Sequence, residues 1–189
     1  MNNMYNPYRQ YPCPYGNMPR YNYDNIYYPY RTYPYTYWNT PPMYSPDYLD
    51  YPIELRDYGP NPFVINIEKA TKQNDNFRTA LWTGEYLQLT LMSIDVGVDI
   101  GLEIHPDLDQ FVRIEEGQGL VKMGDSKDNL DFQAKVCDDF AFIIPAGKWH
   151  NLINTGYKPI KLYSIYAPPQ HPYGTVHKTK EDAEADEYS

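Results

Sequence analysis

"GVDIGLEIHPDLDQFVRIEEG", residues 97–117, sets two strand-like runs about a turn, and its reading governs the rest of the chain. In an extended strand, side chains two apart share a face, so Glu103 and His105 project together. The Pro-Asp-Leu-Asp that follows has the residues of a chain reversal, which sets Gln110 on the next strand beside them. A carboxylate and an imidazole on one face of a strand make a two-toothed grip for a metal ion. Downstream, "PAGKWHNLIN" (145–154) adds His150 just after a Pro-x-Gly turn.

Outward from that stretch the same grammar continues. From Phe63 on, short apolar runs ("TALWTG", "YLQLTLMSI", "GLVKMG", "DFQAKVC", "FAFIIPAG", "IKLYSIYA") alternate with separators rich in Gly, Asp, Asn and Pro. Strand-length runs with period-2 alternation and no long helical pattern between them predict an all-β antiparallel sandwich or barrel over residues 63–170. "IEKATKQNDN" (67–76) is the one stretch with helix character. On the last strand Tyr163 and Tyr166 fall on opposite faces, so only one looks inward. After Ala167 the chain leaves the sheet, and 171–189 reads as a loop with a solvated acidic tail. His171 and His177 in that loop are placed to fold across the barrel mouth, but loop histidines are more often surface residues, and they are read as such.

Residues 1–60 differ in kind. They hold 16 of the 22 tyrosines and 11 of the 18 prolines, with few aliphatic residues and no apolar period. Such a segment builds no core of its own, and we read it as a disordered or extended, polyproline-like arm. Removing residues 1–58 is therefore expected to leave the core unchanged. Residues 61–189 carry 12 basic and 20 acidic residues, a net charge of −8 that repels phosphate backbones and anionic lipid. No nucleic-acid or membrane partner is expected. No apolar run has the length of a membrane helix, and the N-terminus shows no secretory h-region, so synthesis in the cytoplasm without a signal peptide is expected. Cys13 and Cys137 are too few for a disulfide framework, and Cys137 reads as a small buried hydrophobe.

The two motifs resemble those of the cupin family. Gly97, Glu103, His105, Gln110 and Gly117 stand at the spacings of its first motif, and Asp139, Pro145, Gly147, His150 and Asn154 at those of its second, with Asp139 replacing a turn glycine. The resemblance implies a single antiparallel jelly-roll barrel holding one divalent transition metal (Mn, Fe, Zn or Ni) through three histidines and a glutamate. Here the corresponding positions are Glu103, His105, Gln110 and His150, with the first histidine replaced by Glu and the glutamate by Gln. The exchange keeps a single carboxylate in the set.

The chain is similar to small cupins described as mannose-6-phosphate isomerase-like, which implies a small sugar-like or acid ligand and either isomerase or dioxygenase chemistry. Arg113 and Lys148 are the cations near the motifs that a phosphosugar would need. A homodimer through the barrel is compatible with this class. The tyrosine-rich arm resembles tails of bacterial spore-coat proteins, which implies coat partners, a coat location and a purely structural alternative with a non-catalytic barrel.

Overall fold

The alternation seen in the sequence resolves into ten strands and two short helices in a computed structural model that describes residues 52–187. The strands are β1 (Arg78–Thr83), β2 (Gln88–Ile94), β3 (Glu103–Ile104), β4 (Asp109–Glu116), β5 (Gln118–Gly124), β6 (Phe132–Cys137), β7 (Ala141–Ile144), β8 (Trp149–Asn154), β9 (Ile160–Ala167) and β10 (Val176–His177). They form two antiparallel sheets, β10-β1-β2-β9-β4-β7 and β3-β8-β5-β6, the expected jelly roll.

Parity decides the layers. On the inner faces Met92, Ile94, Val112, Ile114, Ile160 and Leu162 of the larger sheet meet Val121, Met123, Val136 and Leu152 of the smaller one. Ile114 and Ile160 are fully buried, and truncating such a side chain to Ala costs about 2–5 kcal/mol in lost transfer energy and cavity. The glycines of the first motif serve the turns between strands. Gly117 joins β4 to β5 at φ 99°, where a Cβ would come within 2.8 Å of the Pro159 carbonyl oxygen. Asp139, in place of the second motif's first glycine, itself takes φ 71°, a left-handed conformation that Asp tolerates better than most residues.

The outer face of the larger sheet is covered too. Helix α1 (Ile67–Gln73), capped by Asn66 Oδ1 accepting from Lys69 N–H, lies in the stretch with helix character. With Ile53, Leu55, Tyr58, Phe63 and Ile65 it packs over Leu81, Leu91, Leu89 and Tyr163. Residues 53–60 thus differ from the arm in which the sequence placed them. Tyr58 stacks on Phe63 with ring centroids 4.4 Å apart, and its N–H donates to the Leu81 carbonyl. Asp57 is buried, so removal of residues 1–58 cuts into the domain. The rest of the arm, Cys13 included, lies outside the described residues.

The C-terminal segment also departs from its reading as loop and tail. β10 pairs with β1, and helix α2 (Lys180–Glu187) seats Ala183 in the main core. Lys180 Nζ bonds Asp99 and His177 Nε2 bonds Asp186, fastening the helix to the sandwich. Cys137, at the end of β6, is buried as expected, and it is disulfide-bonded. Among the described residues no helix is long and apolar enough to cross a membrane.

Candidate metal centre

Pairing of β3 with β8 puts Glu103 directly opposite His150. His105 follows β3, and its carbonyl accepts a 2.8 Å bond from Gly147 N–H of the Pro-x-Gly turn, which clasps the two motifs together. Glu103 Oε2 lies 3.6 Å from His105 Nε2 and 4.0 Å from His150 Nε2, and one ligand atom from each of the three residues falls within 4.8 Å of the others. These separations are too long for hydrogen bonds. They suit donors about 2.0–2.2 Å from a shared ion, which stand roughly 3–4 Å apart.

The hydrogen-bond inventory points the same way. His105 and His150 are 6% and 1% exposed, yet the Nε2 of each has no hydrogen-bond partner. A buried polar atom without a partner costs about 1–3 kcal/mol, so two facing one carboxylate call for a ligand. His150 Nδ1 sits 3.0 Å from the Lys148 carbonyl; as donor there, the ring keeps its Nε2 lone pair free for a cation. Burial pushes the His150 pKa down, partly offset by the Lys148 carbonyl and Glu103, and favours the neutral ring a metal needs.

Gln110 lies on the inner face of β4, opposite Tyr166 of β9. Its Nε2 donates to Ser164 Oγ at 2.8 Å, and Oε1 is buried without a partner. The amide is thereby oriented with a lone pair to spare. Tyr166, the inward member of the Tyr163/Tyr166 pair, is 1% exposed and its ring is edge-on to His105 at 5.8 Å.

Three neighbours were missed or misread in the sequence. Arg78, at the start of β1, is 2% exposed with its Nη2 3.7 Å from Glu103 Oε1. His171, expected at the surface, stands edge-on to Tyr166 at 5.2 Å with a buried, unpartnered Nε2. Burial, then the Arg78 charge, pushes its pKa down to about 2, so the ring stays neutral at physiological pH. Gln88 pins the loop carrying it, accepting from His171 N–H and donating to the His171 carbonyl, each at 2.9 Å. His177, also expected at the surface, is buried against Asp186.

Arg113 and Lys148 face elsewhere. Arg113 pairs with Glu115 and Asp139, and Lys148 with Asp125. Asn154 of the second motif is a staple: its Nδ2 donates to the Ile94 and Lys158 carbonyls.

A cupin-domain family model matches residues 90–166, the span from β2 to β9 that holds Glu103, His105, Gln110 and His150. YrkC of Bacillus subtilis (strain 168) is 66% identical over 140 residues, 74% of this chain and 75% of the relative. The L612 protein of Acanthamoeba polyphaga mimivirus is 38% identical over 115 residues, 60% of this chain and 70% of that one. The crystal structure of BH2720 from Bacillus halodurans superposes with a TM-score of 0.68 at 68% identity, over 69% of this chain and 98% of the other. With its motif residues inside the matched domain and such relatives aligned along most of their length, the chain belongs to the cupin superfamily.

Proposed function

We propose that the chain is a metal-binding cupin whose single divalent transition ion is held by Glu103, His105 and His150 with Gln110 as fourth ligand, and that this centre binds or acts on a small oxygen-rich ligand. The carrying observation is the pair of buried, unpartnered nitrogens, His105 Nε2 and His150 Nε2, around one carboxylate, with Gln110 Oε1 likewise buried and unpartnered. The set fits such an ion: two neutral imidazoles, one carboxylate and one amide oxygen. A divalent ion there supplies Lewis acidity toward a ligand carbonyl or hydroxyl oxygen.

The protein's own groups divide the remaining work. Tyr166, its pKa raised by burial, stays protonated and can donate to a bound ligand. His171, held neutral, offers its unpartnered Nε2 as a hydrogen-bond partner. A phosphosugar ligand gains no support from Arg113 and Lys148, whose charges are spent on Glu115, Asp139 and Asp125. Metal analysis of protein purified without added metal tests the centre. One ion per chain is expected, lost in the His105→Ala, His150→Ala double variant; full occupancy in that variant overturns the assignment.

The arm supports a second reading, association with a coat-like assembly. Its density of phenols in a proline-rich chain suits oxidative coupling between molecules. Peroxidase treatment should give dityrosine fluorescence and covalent multimers from the full chain, far less after deletion of residues 1–51. Equal coupling in both, or a protein that fractionates as soluble at every growth stage, overturns this role.

A further inference from the structure

We propose that Arg78 is the anion-recognising residue of this centre, and that the ligand is a small carboxylate carrying a second oxygen donor beside the carboxyl group. The inference rests on the metal-centre reading above.

Arg78 faces the interior, paired across β1 with Met92 of the core on one side and His177 on the other. A guanidinium removed from water is costly unless its fork of donors is filled. Elsewhere this fold fills such needs: Lys161, comparably buried, donates to the Asn74 carbonyl and to Asp75. Arg78 differs: its guanidinium lies 5.7 Å from the Phe77 ring centroid, a contact that fills none of its N–H donors. Its Nε has no partner, and its approach to Glu103 at 3.7 Å is an ion pair without a hydrogen bond.

Glu103 explains why the pair does not close. Its Oε2 faces the two histidines and its Oε1 faces Arg78, so one carboxylate is shared between the ion's position and the guanidinium. Counting a divalent ion, Arg78 and Glu103 with neutral histidines gives +2 +1 −1, an excess of two positive charges in a buried site. A neutral polyol leaves both that excess and the open fork in place. A carboxylate on the fork, with its neighbouring oxygen on the ion, relieves both, because a planar guanidinium matches a carboxylate edge with two parallel hydrogen bonds. One guanidinium covers a carboxylate more completely than a phosphate, and no second unpaired cation is found beside it among the described residues.

Glycolate and ethylene glycol form the matched probe pair, differing in one carboxyl group, with inorganic phosphate as the third. The full-length protein is loaded with cobalt(II), its occupancy is measured, and each probe is titrated by calorimetry and by the cobalt absorption bands. Wild type should bind glycolate at least about tenfold more tightly than ethylene glycol or phosphate. Arg78→Met should weaken glycolate at least about tenfold, the loss of one charge-assisted hydrogen-bond pair, with cobalt affinity unchanged or raised because a nearby cation is gone. Arg78→Lys keeps the charge without the fork and should lose several-fold, which gives an answer even if the Met variant does not fold. Full cobalt occupancy with glycolate affinity unmoved by either substitution overturns the anion site and leaves the metal centre standing. Ethylene glycol binding as well as glycolate, or phosphate binding better with the same dependence on Arg78, overturns the ligand class. A wild-type chain that takes up no cobalt removes the metal centre and this inference with it.

Discussion

A buried carboxylate and a half-buried one in this molecule live opposite lives. Asp57 is saturated: Oδ1 accepts from the N–H groups of Gly59 and Thr83, Oδ2 from Thr83 Oγ1 and Gly174 N–H, and its carbonyl accepts from Tyr173. Glu103 has partners only at 3.6 Å and beyond, facing two imidazole Nε2 atoms that also lack partners. Both are ringed by polar groups, but one network is closed within the chain and the other is open. A closed network ties the N-terminal segment and the 171–175 loop to β1 and serves stability, whereas an open one is a cost the fold carries for a ligand.

The largest expected effect is at the closed network. Asp57→Ala orphans four donors at once and should destabilise the domain by at least about 3 kcal/mol, lowering the thermal midpoint by about 10 °C. Deletion through residue 60 should do as much or more, since it also strips Ile53, Leu55 and Tyr58 from the outer layer. Under reducing conditions, deletion through residue 51 should leave the midpoint unmoved. Thermal unfolding of the three variants checks the boundary, and a deletion through 60 as stable as the full chain would break the contrast.

At the open network the metal-free protein should behave in the reverse sense. Gln110→Leu removes a buried unpartnered oxygen and should change apo stability by less than about 1 kcal/mol. Added metal at a hundredfold excess over its dissociation constant should stabilise wild type by about 2.7 kcal/mol. His105→Ala should abolish that gain. Denaturant titrations with and without metal separate the two contributions.

Acid supplies a third, smaller lever. The His150 and His171 pKa values are lower in the folded state, burial being the leading cause in each. Between those values and the unfolded value of about 6.5 the unfolded chain binds more protons, so stability falls as pH drops below about 6.5. For His171 the window runs down to about pH 2. His171→Asn should flatten the dependence of the urea midpoint on pH between 7 and 5, and an unchanged slope would show that the ring is solvated.

The legibility of these parts differed for physical reasons. The grouping of Glu103, His105 and His150 was readable because strand parity and turn spacing fix which side chains share a face, and the same parity required that only one of Tyr163 and Tyr166 look inward. Arg78 escaped because a bulge between Ala80 and Trp82 breaks the alternation of β1, so the phase cannot be carried back from "LWT" to the strand's first residue. His171 is placed by Gln88, a contact across 83 residues that no local pattern encodes. Helix α2 enters the core through Ala183 within an otherwise acidic stretch, which composition alone reports as solvated. Ile53 and Leu55 were absorbed into the arm because two aliphatic residues beside prolines and tyrosines make no period.

The smallest effect expected belongs to Gln110→Glu, and it probes the charge of the open network most directly. The substitution adds a carboxylate to the ligand set and loses the amide donor to Ser164 Oγ, although that hydroxyl can turn from the Phe111 carbonyl and donate to the new oxygen. Metal affinity should therefore rise, by about tenfold or less, since a carboxylate binds a divalent ion better than an amide oxygen does. The excess of two positive charges falls to one, so glycolate affinity of the loaded protein should fall as metal affinity rises. Opposite signs in the two titrations are the mark of a ligand that shares its ion with an anion site. If both affinities drop together, Gln110 holds the strand through Ser164 and is no ligand, and the centre is a three-residue site of Glu103, His105 and His150.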